Sequence, residues 1–219
     1  MMEYNLQPYG HRAWLLSFNT QEFSKILCLN ILRLAGMFQR HNTLWQEIVP
    51  AYDSLLLKSG PDISRGAAQD HIHHTLSEFT PQQSITPPSR IIDIPVYYGG
   101  QDGPDLEYVA ETCGLSLAHI IERHSAHPYL VCLMGFIPGF AFMSETDPAL
   151  HIPRHKTPRA HVPEGSVGLA GWQTGIYGLS SPGGWQIIGR TPLRLFNPRR
   201  DAPFLLKAGD WARFVPKIS

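Results

Sequence analysis

From residue 137 to the C-terminus, the sequence shows no helical periodicity and consists of short apolar runs separated by Gly, Pro and charged residues. The runs are GSVGLAG, TGIYGL, GGWQIIG, LRLF and WARFVP. Many short strands with turn residues at close intervals are typical of a barrel, because each strand covers one wall of the core before the chain turns. We therefore predict a closed or nearly closed β-barrel in this part of the chain.

The N-terminal part of the sequence alternates between strand and helix patterns. In residues 20–40, apolar side chains recur at steps of three and four, which predicts an amphipathic helix with Thr20 as its N-cap. A second helix is predicted over 62–79, beginning at Asp62. Strands are predicted at 13–18, 45–49 and 53–58. This order of elements indicates a small α/β sandwich of the split βαβ type over residues 1–82.

Three prolines in the segment TPQQSITPPSR mark a domain boundary, and we place a Pro-rich linker at 83–90. After it, the sequence predicts strands at 91–98 and 129–136 and helices at 104–112 and 116–125. These elements lead into the run of short strands, so we expect one β-barrel domain over 91–219. The predicted fold class is α+β, with a small N-terminal α/β sandwich followed by a C-terminal β-barrel.

The composition argues against several classes of protein. There are 18 basic and 18 acidic residues, whereas nucleic-acid-binding proteins usually carry a basic excess. The cysteines Cys28, Cys113 and Cys132 form no CxxC pair, as expected of free thiols in a reducing compartment. We find neither the pattern of a secretory signal nor the ~18 consecutive apolar residues of a membrane span. We expect a cytoplasmic protein that binds neither nucleic acid nor membranes.

The segment AGWQTGIYGLSSPGGWQIIG, residues 170–189, combines six glycines with two tryptophans and a tyrosine. Glycine permits positive φ and the close approach of a ligand or another chain segment, but it also marks bulges and barrel corners. Two interpretations stay open for Gly168, Gly171 and Gly175: corners of the barrel, or the backbone rim of a pocket. Neither a dinucleotide-binding GxGxxG motif nor a P-loop occurs, so any nucleotide is held in another way.

Polar side chains in and near this segment are candidate ligand contacts, because amides and hydroxyls among apolar residues commonly orient a ligand. The candidates of this type are Gln173, Thr174, Tyr177 and Gln186. Arg159 and Arg190 each carry a guanidinium that can hold a carboxylate or phosphate by two hydrogen bonds. The alternative for each arginine is a solvated or ion-paired side chain.

Histidine and phenylalanine residues supply further candidates. His124 ends a predicted helix just before a strand, and the helix dipole can stabilise its cationic form, so it is either a pocket residue or a capping residue. The cluster HIHH at 71–74 has no acidic or cysteine ligand placed with it, and we predict that it binds no metal. In GFIPGF, Phe136 and Phe140 form either an apolar wall of a site or interface, or part of the core.

Several longer motifs follow one another in the second part of the chain: YGGQDGPDLEYVAE, YLVCLMGFIPGF, TPRAHVPEGSVGLAGWQTGIY, SPGGWQIIGRTPLRLFNP and KAGDWARFVP. From about residue 91 to 217 the sequence resembles the family of the 5-oxoprolinase B subunit, also called the Kip-inhibitor or allophanate hydrolase subunit 1 family. The resemblance implies a C-terminal cyclophilin-like β-barrel after a small N-terminal α/β domain. It also implies two partners, the C and A subunits of 5-oxoprolinase, with which such a chain opens 5-oxoproline to L-glutamate with hydrolysis of ATP.

The resemblance further implies that the B and C subunits form a phosphorylated lactam and that the A subunit opens the ring. ATP with Mg²⁺ is then a co-substrate of the complex, no cofactor is bound by this chain alone, and the chain is inactive without its partners. Phosphorylation of a lactam oxygen requires preorganised donors in a site that excludes water. The candidate catalytic residues are Gln173, Arg190 and His124. The candidate substrate-binding residues are Arg159, Thr174, Tyr177, Gln186, Phe136 and Phe140.

One motif departs from the family pattern. The family usually reads GFPYL followed by a glycine, whereas this chain reads GFAFMS, with Ala141, Phe142 and Ser144 at the departing positions. The missing tyrosine hydroxyl fits a different substrate or a regulatory relative. Two alternative functions follow from the resemblance: a non-catalytic inhibitor of a sensor histidine kinase, and a component of a system like urea carboxylase or allophanate hydrolase.

Overall fold

The computed structural model describes residues 3–18, 23–40, 43–85, 88 and 90–217. The chain divides into two compact units, Met1–Pro87 and Pro88–Ser219. Both units contain helices and strands, so the fold is mixed α/β, and the second unit contains a closed barrel. The predicted barrel is therefore confirmed. Among the described residues, no helix is long and apolar enough to cross a membrane.

The first unit is a four-stranded antiparallel sheet with two helices. Its elements are β1 (Tyr4–Tyr9), β2 (Ala13–Phe18), α1 (Lys25–Gln39), β3 (Trp45–Pro50), β4 (Ser54–Ser59) and α2 (Arg65–Glu78). The strand order is β1-β2-β4-β3, so β4 lies between β2 and β3 and is antiparallel to both. The sequence analysis missed β1, because most of its side chains are exposed and its apolar pattern is weak.

Both helices of the first unit begin later than the sequence analysis predicted. Ser24 precedes α1, and its side chain accepts a hydrogen bond from the backbone N–H three residues later at 3.2 Å. Thr20, the predicted N-cap, lies outside the described residues. Ser64 caps α2 in the same way at 3.2 Å, so the prediction of Asp62 was wrong. Asp62 stands too far from the first free amides of the helix to cap them.

The second unit is a barrel with two helices and a separate pair of strands. Its elements are β5 (Ile92–Tyr98), α3 (Leu106–Cys113), α4 (Leu117–Ser125), β6 (Tyr129–Met134), β7 (Ala141–Glu145), β8 (Arg159–Val162), β9 (Ser166–Ala170), β10 (Gln173–Ile176), β11 (Ser181–Gly183), β12 (Gln186–Arg190) and β13 (Trp211–Lys217). The barrel closes in the order β10-β7-β6-β13-β5-β12-β9, and β8 pairs with β11 outside it. Helix α3 packs on β12, and α4 packs on β13.

One of the apolar runs, LRLF, does not form a strand. Prolines at 192 and 198 flank it and interrupt regular pairing, since proline lacks the backbone donor that a ladder needs. It contributes a single isolated bridge between Phe196 and Phe204, while Leu195 joins the barrel core. The strand prediction for this run was therefore wrong. The burial of Leu195 nevertheless agrees with the apolar pattern of the run.

Candidate functional site

A cavity of about 430 Å³ opens in the barrel unit, and we call it the aromatic cavity. Its lining residues are Phe136, Ile137, Phe142, Arg154, Pro158, Tyr177, Ser181, Pro182, Gly183, Gly184 and Trp185. They come from the loop between β6 and β7, from β7 itself, from the segment before β8, and from the region between β10 and β12. The part of the glycine-rich segment from Tyr177 to Trp185 therefore contributes to the wall of this cavity.

The wall of the aromatic cavity rests on one buried ring, Phe140. Its ring centroid lies 4.9 Å from that of Tyr177, 4.5 Å from that of Phe142 and 5.4 Å from that of Trp185. The contacts with Tyr177 and Trp185 are edge-to-face, the arrangement that aromatic pairs favour. Phe140 is fully buried and is absent from the lining, so its role is to hold the rings that form the wall.

Phe136 stands at the edge of the cavity in an unusual backbone conformation. Its φ is +67°, and the N–H of Ile137 donates to the carbonyl of Gly135 at 2.8 Å, which closes a three-residue γ-turn. A positive φ is strained for a residue with a large side chain. The turn holds the Phe136 ring 64% exposed at the edge of the lining. Strain of this kind is often retained at functional sites.

Tyr177 brings a buried hydroxyl to the cavity wall. The hydroxyl oxygen has no hydrogen bond of good geometry among the described residues. It lies against Gly183, where an added Cβ would be 2.2 Å from it. Burial raises the pKa of the Tyr177 phenol, while the backbone N–H of Trp185 and the charges of Arg154 and Arg159 partly oppose that change. The group is therefore a neutral, protonated donor at physiological pH.

Arg154 supplies the positive charge of the aromatic cavity. Its guanidinium carbon lies 5.7 Å from the centroid of the Trp185 ring, at a cation–π distance. Within the described part of the chain, Arg154 makes no ion pair and no side-chain hydrogen bond. The lining contains no Asp or Glu side chain. The cavity therefore offers an apolar, ring-lined volume with an unpaired cation beside it.

Arg159 lies outside the aromatic cavity and is held by a buried carboxylate. Its two terminal nitrogens donate to the two oxygens of Asp105 at 2.8 and 2.5 Å. Asp105 is only 4% exposed and also accepts from the backbone N–H of Ile187 at 2.6 Å. Because its carboxylate is used in this way, Asp105 makes no capping bond at the start of α3. The ion pair therefore ties Arg159, at the start of β8, to the residue that precedes α3.

Arg190 and Arg159 line one polar depression of about 160 Å³, together with His161. The Nε of Arg190 donates to the carbonyl of Glu164 at 2.8 Å. The structure therefore brings the two predicted anion-binding arginines together. Both guanidiniums already have protein partners, which leaves fewer N–H groups for a ligand.

His124 is fully buried in the barrel unit rather than placed in a pocket. Tyr98 donates to its Nδ1 at 2.7 Å, and its Nε2 lies 2.8 Å from Thr174 Oγ1. Thr174 donates to the carbonyl of Gly168 at 3.1 Å, so its oxygen accepts from His124. Burial, with a smaller contribution from His127, lowers the pKa of His124 to about 3. The idea of a dipole-stabilised cation was wrong, because burial outweighs the helix dipole here.

The remaining polar candidates lie inside the barrel wall or at its far end. Gln186 is 2% exposed, and its Nε2 donates to the carbonyl of Pro153 at 2.9 Å. Gln173 begins β10 opposite Ala170, whereas Arg190 pairs with Ser166 near the other end of the same group of strands. Their partners Ala170 and Ser166 are four residues apart on β9, and four residues of strand correspond to about 13 Å. The structure therefore does not bring Gln173 and Arg190 into one site.

The candidate glycines serve the barrel itself. A Cβ on Gly175 would lie 2.9 Å from the carbonyl oxygen of Ala141, and one on Gly168 would lie 3.0 Å from Trp185 Cβ. Gly171 has φ +61° in the turn between β9 and β10. None of these three glycines is among the residues that line the aromatic cavity. Their positions favour the barrel-corner interpretation over a pocket rim.

The histidine cluster of the first unit has local partners. Trp45 Nε1 lies 3.3 Å from His71 Nδ1, and His74 Nε2 lies 3.5 Å from a carboxylate oxygen of Glu78, one helical turn away. In the described ranges, no group of three or more His, Cys, Asp or Glu side chains is arranged to hold a metal ion. The absence of metal from this cluster stays a prediction.

Comparison with known proteins identifies the family. The family described as Carboxyltransferase domain, subdomain C and D matches residues 4–206. A Bacillus subtilis (strain 168) protein, named as the B subunit of 5-oxoprolinase, is 35% identical over 225 residues, which cover 98% of this chain and 93% of that protein. The chain belongs to the 5-oxoprolinase B-subunit family. An Escherichia coli O157:H7 protein with the same name is 49% identical over 150 residues, 68% of this chain and 69% of the relative.

Solved structures related to this 5-oxoprolinase B-subunit homologue share its fold. The protein TTHA0988 is 37% identical with a TM-score of 0.82 over 95% of this chain, and this chain spans 41% of that protein's length. The conserved uncharacterized protein PH0987 from Pyrococcus horikoshii is 39% identical over 97% of both chains, with a TM-score of 0.58. Kluyveromyces lactis urea carboxylase is 19% identical with a TM-score of 0.79 over 99% of this chain, a likeness of fold alone.

Sequence reasoning about this 5-oxoprolinase B-subunit homologue missed three residues of the cavity. Phe142 stood out only as a departure from the family motif, although it faces the cavity beside Trp185. Trp185 stood out for its aromatic mass but was not named among the candidate site residues. Arg154 was missed, and the signal that could have indicated it is its position in the loop before β8, five residues before Arg159.

Proposed function

We propose that this chain is the B subunit of an ATP-dependent 5-oxoprolinase, which opens 5-oxo-L-proline to L-glutamate together with the A and C subunits. Similarity over nearly the whole chain to a protein named as the B subunit of 5-oxoprolinase supports the proposal. The structural observation that carries it is the aromatic cavity, whose walls are rings with few polar groups. Such a cavity suits a small ring compound and keeps water away from it.

The proposed reaction activates an amide that resonance makes unreactive. The lactam oxygen takes the γ-phosphoryl group of ATP, ADP leaves, and the oxygen becomes part of a good leaving group. Water then attacks the ring carbon and the ring C–N bond breaks, which leaves an acyl phosphate and the free amine. A second water hydrolyses the acyl phosphate, phosphate departs and L-glutamate remains. We assign the phosphorylation to the pair of B and C subunits and the ring opening to the A subunit. Shielding the first step from water prevents wasteful hydrolysis of ATP.

The candidate residues take different roles in this proposal. Phe136 and Tyr177 form part of the cavity wall that faces the lactam. Arg159 and Arg190, in their polar depression, are the cations that this chain offers to phosphate oxygens. His124 acts as a positioning residue inside the barrel, because both of its ring nitrogens are used by protein groups. Gln173, at the far end of β10, is left out of the proposed site.

ATP with Mg²⁺ is the proposed co-substrate of the complex. Neither a Rossmann turn nor a P-loop occurs in this sequence, and the arginines of the polar depression are partly satisfied by Asp105 and Glu164. We therefore propose that the nucleotide is held at a site to which one of the partner proteins contributes. This chain then requires its partners for activity.

An omission experiment tests the proposed function. The three purified proteins are mixed, and phosphate release is measured with and without 5-oxo-L-proline. We expect release only from the complete mixture. We also expect Arg190→Ala to lower turnover about 10²-fold, as for loss of one preorganised donor, without loss of melting temperature or of co-purification with the C subunit. The exposed Arg200→Ala is the matched control. Turnover by the lone chain, or by its two partners without it, would contradict the proposal.

A second candidate function is a part of a biotin-dependent carboxyltransferase. The family description, and the fold shared with Kluyveromyces lactis urea carboxylase, favour it. The two functions differ in their need for biotin. If this second function holds, avidin abolishes activity and bicarbonate is required, whereas phosphate release driven by 5-oxoproline is insensitive to avidin. Inhibition of a sensor kinase stays a prediction from the resemblance.

A further inference from the structure

Among the described residues, the aromatic cavity brings together a hydroxyl whose proton has no acceptor and a guanidinium that has no carboxylate partner. The Tyr177 hydroxyl is buried and has no hydrogen bond of good geometry among the described residues. The Arg154 guanidinium has no carboxylate partner in that part of the chain and stacks at 5.7 Å from the Trp185 ring. A buried donor without a partner costs free energy, and a ligand that accepts its hydrogen bond removes that cost. The hydroxyl and the guanidinium therefore indicate which chemical groups a ligand of this cavity carries.

The ligand that complements the cavity has three features. Its body is small and apolar enough to lie against Phe142 and Trp185, two rings whose centroids are 5.8 Å apart. It carries an anion, because Arg154 is the one charged residue among the described residues that line the cavity. It also carries an acceptor for a hydroxyl that keeps its proton.

A cationic ligand fits this cavity poorly. Aromatic walls can hold quaternary ammonium groups through the faces of the rings. Here, however, the lining contains no Asp or Glu side chain, and the Arg154 charge would repel a second cation. Arg159 and Arg190 are weaker candidates for the carboxylate, since they are held by Asp105 and by the carbonyl of Glu164.

We propose that the aromatic cavity binds a small cyclic carboxylate, with the ring beside Phe142 and Trp185, the carboxylate on Arg154 and a ring carbonyl accepting from Tyr177. The identification of this ligand as 5-oxo-L-proline rests on the proposed function. The lactam ring, the carbonyl and the carboxylate of that molecule match the three features. Gly183 lies against the buried Tyr177 hydroxyl, so the proposed binding mode requires β11 to move for the carbonyl to reach the hydroxyl.

Three probes separate the contributions of the two side chains. They are 5-oxo-L-proline, 2-pyrrolidinone, which lacks the carboxylate, and cyclopentanecarboxylate, which lacks the lactam. Titration calorimetry on the full chain gives each affinity. The change in intrinsic tryptophan fluorescence reports binding independently, since Trp185, one of the five tryptophans, lies in the wall. The variants are Arg154→Gln and Tyr177→Phe, with Arg200→Gln as the control at an exposed arginine that lines none of the cavities described above.

The two variants are expected to weaken binding of different pairs of probes. Arg154→Gln weakens both carboxylates about 10- to 100-fold and leaves 2-pyrrolidinone unchanged, because a hydrogen bond to a charged group is lost. Tyr177→Phe weakens both lactams several-fold and leaves cyclopentanecarboxylate unchanged, while the melting temperature stays the same or rises. Arg200→Gln changes none of the affinities. A variant that only disturbed the fold would weaken all three probes alike.

The proposal is overturned if the wild-type chain binds none of the probes, or if Arg154→Gln leaves the affinity for 5-oxo-L-proline unchanged. If Tyr177→Phe binds both lactams as tightly as the wild type, the proposed hydrogen bond from Tyr177 to the ring carbonyl is wrong. Failure of the proposed function looks different. In that case, carboxylates bind in an Arg154-dependent way, but the complete mixture of the three proteins releases no phosphate with 5-oxo-L-proline.

Discussion

Replacing His124 with glutamine is expected to make the stability of the barrel unit less dependent on pH. The wild-type ring is fully buried, accepts a hydrogen bond from Tyr98 at 2.7 Å and stacks on Phe214 at 4.4 Å. Glutamine is close in size and can still reach Thr174, but it does not titrate. The substitution therefore separates the protonation of His124 from most of its packing.

The magnitude follows from the pKa of His124, which burial lowers from 6.5 in the unfolded chain to about 3 in the folded chain. Between these two values only the unfolded chain binds the proton, so stability is lost as pH falls below the unfolded pKa. The loss is about 1.4 kcal/mol per pH unit. From about pH 7.5 to about pH 5, this one group removes about 2 kcal/mol from the free energy of unfolding.

Urea unfolding of both proteins at these two pH values measures the effect. Near pH 7.5 the variant is expected to be less stable by about 1–3 kcal/mol, because the Tyr98 hydroxyl loses its acceptor. Near pH 5 that difference shrinks by about 2 kcal/mol, since only the wild type loses stability through His124. Other carboxylates and histidines titrate in both proteins and cancel in the comparison. If the free energies of unfolding of the two proteins differ by the same amount at both pH values, the conclusion that His124 is buried and neutral is wrong.

Three further tests by substitution examine the geometry of the barrel unit. Gly183→Ala places a Cβ 2.2 Å from the Tyr177 hydroxyl and is expected to cost about 1–3 kcal/mol of stability in urea unfolding. Gly184→Ala is the control and is expected to change stability little, because its added Cβ would lie 3.7 Å from the nearest atom. Phe136→Gly should be more stable than Phe136→Ala by about 1 kcal/mol, because glycine accepts φ +67° without strain; the reverse order in thermal unfolding would contradict a strained turn. Asp105→Asn should cost about 3–5 kcal/mol, since it leaves Arg159 without its counter-charge, and an unchanged melting temperature would show that the pair contributes little.

The sequence predicted the barrel because short apolar runs and turn residues are local signals. It also located α3 and α4, the two helices between the barrel strands β5 and β6. The strand β1 was missed because an exposed edge strand carries little apolar alternation. The run LRLF was assigned wrongly because the composition of a short apolar segment does not distinguish a strand from a buried loop.

The candidate site was predictable only in part, because strand register is not visible in a single sequence. Tyr177 and Phe136 were singled out and do line the cavity. Gln173 and Arg190 looked equivalent as polar residues flanking one segment, yet the register of β9, β10 and β12 places them at opposite ends. Arg154 lies outside the glycine-rich segment 170–189 and reaches the cavity through the loop that precedes β8.

A crystal structure of this chain with 5-oxo-L-proline bound tests the central claim most directly. We predict density for the ligand in the aromatic cavity, with its carboxylate on Arg154 and its ring beside Trp185. The lactam oxygen should lie within hydrogen-bond distance of the Tyr177 hydroxyl. Ligand density only in the polar depression between Arg159 and Arg190, with the aromatic cavity empty, would contradict the account.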